Sequence, residues 1–249
     1  MRTIFYILLL FIFIPSSILK AEVQNINYYL HLNILGVPVK IGEIISYFEI
    51  TDEEYELKYD LKSENLIQLI SPTKGIGKIN GNYINSKLIP KNYNYTYERK
   101  GKIKSTNIEF LDSDVINSEV MPPFEKSKLT PVTNQMLRNV IDPSTGIILM
   151  GDYQLNENCS IDYRIFDGKR RYDLIYSSIV EKESYKICTL QRYKLGGFKK
   201  DGNDSSNNPF ASADQIDAYF LKKDEKYIID KFITKSDSAE LIINVTIQQ

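Results

Sequence analysis

The chain has 249 residues, 43% of them hydrophobic and 25% charged, the composition of a folded globular protein and not of a disordered or collagenous one. Lys and Arg number 31 against 32 Asp and Glu, a formal net charge of -1, so no basic field draws the chain to nucleic acid. The length suits a signal peptide at 1–21 followed by a single β-rich domain over 22–249.

The first segment, MRTIFYILLLFIFIPSSILKA, sets one Arg ahead of an apolar run from Ile4 to Ile14 and then Pro15-Ser16-Ser17. A bilayer span takes about 20 apolar residues. This shorter run, with a small residue at the cut site, reads as a secretory signal cleaved near Ala21. No second run of spanning length follows, so the expectation is a periplasmic protein with no membrane span in its mature form.

Residues 26–34 alternate: Ile26, Tyr28, Leu30, Leu32 and Ile34 fall on one face, and Asn27, Tyr29, His31 and Asn33 on the other. Period two predicts a half-buried strand. GVPVKIG is expected to turn at Gly36 and Gly42. Strands follow at 43–50 and 55–61, joined by a TDEE loop, and ENLIQLI (64–70) suits a strand or a helical turn, of which strand is the reading taken. Asn80-Gly81 and Lys100-Gly101 are expected hairpin turns, with Tyr93, Tyr95 and Tyr97 on one face between them. Residues 102–111 pair back, and Pro122-Pro123 ends the first sheet. Asp142-Pro143 is a helix cap followed by proline at the first helical position. It predicts a helix over 143–151 with Ile147, Ile148 and Met150 inward. Strands resume from Cys159, a polar loop occupies 199–215, and three strands close the chain near 216–222, 226–234 and 239–247. The expected architecture is one strongly curved antiparallel sheet, a half-barrel or open barrel, with a short helical insert.

The stretch FDGKRRYDL (166–174) combines Asp-Gly with three cations. With Asp167–Arg170 as the turn, Arg164 faces Asp173, Ile165 faces Tyr172 and Tyr163 faces Leu174. Both strands then sort apolar and polar residues consistently, so the register is well specified, and Arg164–Asp173 is an expected cross-strand ion pair. Lys169, Arg170 and Arg171 are left as a solvated tip or a small anion site, where Arg can grip bidentately. Together with Arg164 and Arg192 they form the candidate anion-binding rim.

CSIDYRIFDGKRRYDL and the following KICTLQRYKLGGF resemble the exported bacterial family called domain of unknown function 3108. GVPVKIGE, LIPKNYNY, VIDPSTGIILM and DAYFLKKDEKYIIDKF fit the same pattern in order, over most of residues 26–247. The resemblance implies export and a β-rich fold and names no reaction. At the level of architecture the chain is also similar to the half-barrel of periplasmic lipoprotein carriers.

Catalytic chemistry is poorly represented. His31 is the only histidine and lies on a polar strand face. Two distant cysteines and one histidine do not make a zinc site. No G-x-S-x-G, P-loop or G-x-G-x-x-G occurs. The reading is therefore of no enzyme, no metal and no cofactor. Cys159 and Cys188 are disulfide candidates because the expected compartment is oxidising. A simple meander would set them two strands apart, ~9.6 Å, beyond the roughly 7 Å a disulfide spans, so a bridge needs a bulge or another strand order. The expected function is a non-enzymatic envelope protein that holds a lipid, an acyl chain (of a lipoprotein, for instance) or an envelope partner protein on a concave apolar face. The rival reading is a structural or assembly factor with a packed core and no ligand, and behind it an envelope hydrolase.

Overall fold

A computed structural model describes residues 22–34, 36–155, 157–201, 214–236 and 239–248. The expected signal peptide and most of the 199–215 loop lie outside them. The chain forms one antiparallel sheet of thirteen strands. Seven come first: β1 (Glu22–Ile34), β2 (Val37–Ile50), β3 (Glu54–Ser63), β4 (Thr73–Ile84), β5 (Lys87–Arg99), β6 (Lys102–Leu111) and β7 (Asp114–Met121). Six follow: β8 (Tyr163–Phe166), β9 (Arg171–Glu181), β10 (Tyr185–Gly196), β11 (Gln215–Lys223), β12 (Lys226–Ser236) and β13 (Ala239–Gln248). Helix α1 (Asn65–Ile70) joins β3 to β4, and α2 (Pro143–Gly151) lies between β7 and β8.

The spatial order runs β7 to β1, then β13 down to β8. Two meanders are thus joined at a single seam, where β1 pairs with β13 from Asn25–Gln248 to Asn33–Glu240. Alternation along each strand turns Ile26, Phe48, Leu57, Ile79, Tyr93, Ile108, Leu190, Phe220, Phe232 and Leu241 into one buried interior. The outer strands β7 and β8 do not pair. Residues 139–141 bridge them instead: Ile141 N–H donates to Arg164 O at 2.9 Å, Phe166 N–H to Ile141 O at 3.0 Å, and Val140 N–H to Ser113 O at 2.8 Å. The curved sheet is an open barrel closed by a strap.

Tight curvature and bulky tyrosines need space, and β4 supplies it. Gly77 lies between Tyr59 of β3 and Tyr95 of β5, and a Cβ there would clash with Cζ at the hydroxyl end of the Tyr59 ring. Tyr59 and Tyr95 pack with centroids 5.9 Å apart, and Tyr95 stacks on Tyr97 at 5.7 Å. The inward tyrosine row expected from period two is therefore present, laid over a glycine floor.

Helix α2 fills one side of the interior. Asp142, fully buried, accepts from the Ser144 and Thr145 N–H groups at 2.9 Å each and from Thr145 Oγ1 at 2.6 Å. Thr145 Oγ1 in turn sits 2.9 Å from the Tyr55 hydroxyl, which donates to it. The cap thus anchors the helix both to its own first turn and to β3. Ile148, Leu149 and Met150 are buried in succession, as in a helix enclosed on most sides. Ile147, expected inward, is 39% exposed.

Several local expectations are corrected. Gly42 is strand, inside β2 at a bulge where Leu30 pairs with Gly42 and His31 with Lys40. ENLIQLI is helix over Asn65–Ile70, because its apolar residues are spaced three and four apart and do not alternate. Asn80-Gly81 is a bulge within β4, and the turn falls at Asn85-Ser86, both at positive φ. Asp112-Ser113 makes a like turn and adds β7 before the Met121-Pro122 bond, a strand that the sequence left unassigned. Pro122-Pro123 ends that strand but not the sheet.

Cys159 and Cys188 form a disulfide with Cα atoms 6.0 Å apart. The meander order is kept, yet the distance objection fails for two reasons. First, β8 begins only at Tyr163, so Cys159 sits in a turn with Glu157 and Asn158, all at positive φ, free of the ladder. Second, the β9–β10 turn lies at 182–185, which puts Cys188 opposite Ile179 and not opposite Ser177.

Candidate functional site: an apolar cavity with one arginine

Between α2 and the inner face of the sheet lies a cavity of about 360 Å³, at the lower end of ligand-sized pockets. Its walls come from β1 (Tyr28, Leu30), β2 (Ile44, Ser46), β3 (Leu57, Tyr59, Leu61), β5 (Tyr95) and α2 (Ser144, Ile147, Ile148, Met150). The second meander closes it with Ile165, Tyr172, Leu174, Arg192, Ile216, Phe232 and Ile243. Period two explains the composition of the sheet side, since each strand residue of the wall is an inward member of its strand.

The polar groups are few. Ser144 Oγ donates to the Tyr59 hydroxyl at 3.1 Å. Burial pushes the Tyr95 hydroxyl up to about 12 and those of Tyr59 and Tyr172 higher still, so all three stay neutral across physiological pH. Arg192 is the only charged residue among the described lining residues. Its side chain is 7% exposed, its guanidinium carbon lies 6.0 Å from the Tyr172 ring centre, and its Nη2 is 3.2 Å from Asp214 Oδ1. Asp214 is 65% exposed and shared with Lys194 at 3.3 Å, so solvent weakens its hold on Arg192.

The other rim candidates are elsewhere. The hairpin forms in the expected register, with Arg164 opposite Asp173 and Phe166 opposite Arg171. The ion pair differs: Asp173 bonds Arg171 Nη1 at 2.5 Å, and Arg164 points to solvent. Arg171, 1% exposed, also donates from Nε to Met136 O at 2.9 Å and from Nη1 to Tyr172 O at 2.6 Å. It is a strut holding the 122–142 strap to β9, which the alternation pattern could not show because the strap covers the hairpin's polar face. Arg170 Nε donates to Asp167 Oδ2 at 2.8 Å, within the turn. Lys169 Nζ lies 5.6 Å from the Phe124 ring centre. Of the five cations, Arg192 alone lines the apolar cavity.

A wider groove of about 600 Å³ lies at the far side of α2, near Tyr153 and Tyr227. Glu22, Asp152 and Asp230 alternate there with Lys223 and Lys226, so it has no dominant charge or apolar character to select a ligand. Among the described residues no group of three or more His, Cys, Asp or Glu could hold a metal ion. His31 Nδ1 lies 3.1 Å from Tyr29 O and 3.2 Å from Asn244 Nδ2, a local polar contact on the seam. No described helix is long and apolar enough to cross a membrane.

No curated protein matches the chain. A crystal structure of a beta-barrel-like protein of domain of unknown function DUF1849 from Brucella abortus is similar at 9% identity, covering 93% of this chain and 100% of that one with a TM-score of 0.48. The family model described as "Protein of unknown function (DUF3108)" matches residues 25–228, and the chain belongs to that family.

Proposed function

We propose that the protein is a non-enzymatic, exported carrier that holds the hydrocarbon chain of an amphiphile in the apolar cavity, with the amphiphile's anionic end at Arg192. The carrying observation is the pairing of a wall that is apolar on nearly every side with a single cation. Apolar pockets with a few placed polar groups are how such ligands are held and oriented. The neutral tyrosines offer hydroxyls without competing charge. The disulfide fits an oxidising compartment, and the apolar N-terminal run is the expected route there.

Delipidated protein should bind both neutral N-phenyl-1-naphthylamine and anionic cis-parinaric acid, each with an emission increase. Ile147→Trp, which fills the cavity from the partly exposed side of α2, should abolish binding of both while the thermal transition is kept. Arg192→Gln should weaken cis-parinaric acid about tenfold, the value of one charge-assisted contact, and leave the neutral probe unchanged. Failure of both probes to bind the wild type would favour the structural reading, with a cavity that no ligand enters.

A further inference from the structure

We infer that the rim formed by α1 and the β5–β6 turn is a docking surface for a bilayer of anionic phospholipid, and that it faces the membrane while the cavity loads or empties. The inference rests on the carrier reading and supplies its partner.

Two large aliphatic side chains stand in solvent at adjacent positions of α1: Leu69 is 81% exposed and Ile70 68%. Ile103, at the start of β6, is 64% exposed. These lie on one rim, because Lys100 N–H donates to Pro72 O at 3.1 Å and Arg99 Nε to Ser71 Oγ at 2.8 Å. The β5–β6 turn is thereby fastened to the exit of α1. That turn reads RKGKIK and carries Arg99, Lys100, Lys102 and Lys104, all exposed. Among the described residues, Lys100, Lys102 and Lys104 enter no ion pair, and Lys104 lies over the Tyr97 ring at 5.9 Å. The neighbouring carboxylates are engaged elsewhere: Glu43 with Lys40 and Lys62, Glu64 with Lys40, and Glu98 with Lys74. The turn's positive charge is therefore uncompensated.

The chemistry selects a lipid surface. Exposed aliphatic side chains are costly in water and stable at the acyl boundary, and a fringe of lysines next to them matches anionic headgroups. A protein partner would reward buried aromatic or arginine anchors in a shaped pocket, and α1 offers two exposed aliphatic side chains. Position supports the same conclusion. Leu61, a wall residue of the cavity, lies two residues before Ser63, where β3 ends, and four before Asn65, where α1 begins. Leu61 pairs with Gly75 and Tyr95 with Gly77, within four residues of Thr73, where β4 begins after α1, so cavity-wall residues stand close to this rim.

The test is vesicle flotation of the protein in the form the cell leaves it, with phosphatidylcholine vesicles and with vesicles containing roughly a third phosphatidylglycerol. The wild type should float with the anionic vesicles, weakly with the neutral ones, and less as salt is raised. Lys100→Gln/Lys102→Gln/Lys104→Gln should lower partitioning to anionic vesicles about a hundredfold, roughly fivefold per lysine. Leu69→Asn/Ile70→Asn should lower it at least tenfold on the same vesicles. All these side chains are exposed, and unchanged circular dichroism serves as the folding control. Partitioning equal for both vesicle types, or unaltered in both variants, would overturn the inference; absence of binding altogether would overturn it and return the patch to a protein contact. The carrier reading fails separately: these variants keep N-phenyl-1-naphthylamine binding, and Ile147→Trp keeps flotation.

Discussion

Asp142→Ala should lower stability by about 3 kcal/mol, and Asp142→Asn should not. The alanine leaves the Ser144 and Thr145 N–H groups without their acceptor in a fully buried place. Loss of a cap costs about 1–2 kcal/mol, and buried donors without partners add about 1–3. The loss also loosens Thr145 from Tyr55, so the helix is released from β3. For a chain of this size the melting temperature should fall by about 9 °C, measured by calorimetry. A change within 1 kcal/mol would mean that α2 is held by packing alone. Asparagine keeps the acceptor oxygen of the Ser144 and Thr145 N–H groups, loses the one that Thr145 Oγ1 donates to, and removes the charge, so it separates backbone capping from ionisation.

That separation has a pH signature. Burial raises the Asp142 carboxyl above its ordinary value of 3.8, outweighing the hydrogen bonds that favour the anion. The folded chain then holds this proton more tightly than the unfolded chain, and stability from this group falls as pH rises through the folded value. Glu43 has the opposite sign. Hydrogen bonds from Lys62 and Lys40 hold it at about 2, so its contribution is fully present above 4.5 and is lost as pH falls from 4.5 through about 2. The stability gap between Asp142→Asn and wild type should therefore narrow as pH falls from neutrality toward about pH 4. Urea titrations of both chains at the two ends of that range measure it. A gap independent of pH would place the Asp142 carboxyl at its ordinary value.

The second large effect is at the disulfide. Replacing Cys159 and Cys188 together with Ala should lower stability by about 3.5 kcal/mol, the chain-entropy value for a separation of 29 residues. The bridge ties the turn after α2 to the centre of β10, and both cysteines are buried. Its loss frees the segment between α2 and β8. Guanidinium unfolding of the double variant, and of wild type with and without reductant, gives the number. Coincident curves for oxidised and reduced wild type would remove the bridge from the stability account.

The elements that were legible in the sequence carry their signals within a few residues. Asp142-Pro143 states the helix start, and α2 occupies the expected 143–151. The Asp167–Arg170 turn closes with Asp167 N–H to Arg170 O, as the sorting of its two strands requires. The last three strands fall within two residues of their expected limits. Misreadings arose where one local signal serves two structures. Asn-Gly marks a hairpin turn or a bulge, and at Asn80-Gly81 the close packing of Tyr55 over Gly81 decides for the bulge. The cavity was not legible, because its wall is drawn from ten strands and a helix that only the sheet brings together. Arg192 could be proposed from its sequence alone, but not distinguished from Arg171, since alternation says which residues share a face and not what later crosses that face.

The strand order carries a consequence for how the chain is made. Each meander pairs only neighbours in sequence, so ten of the hairpins close short loops, whereas the seam joins Asn25 to Gln248. Loop-closure entropy and late emergence from the ribosome both delay that contact. Until β13 is synthesised, β1 presents a bare edge rich in Ile, Leu and Tyr, the kind of edge that captures other strands. We expect pulse-labelled hydrogen exchange to find the β1–β13 amides protected last, and amides within the first meander protected before them. The open β1 edge therefore lasts for nearly the whole length of the chain's synthesis, and that interval, not the finished fold, is when strand capture by another chain is open to it.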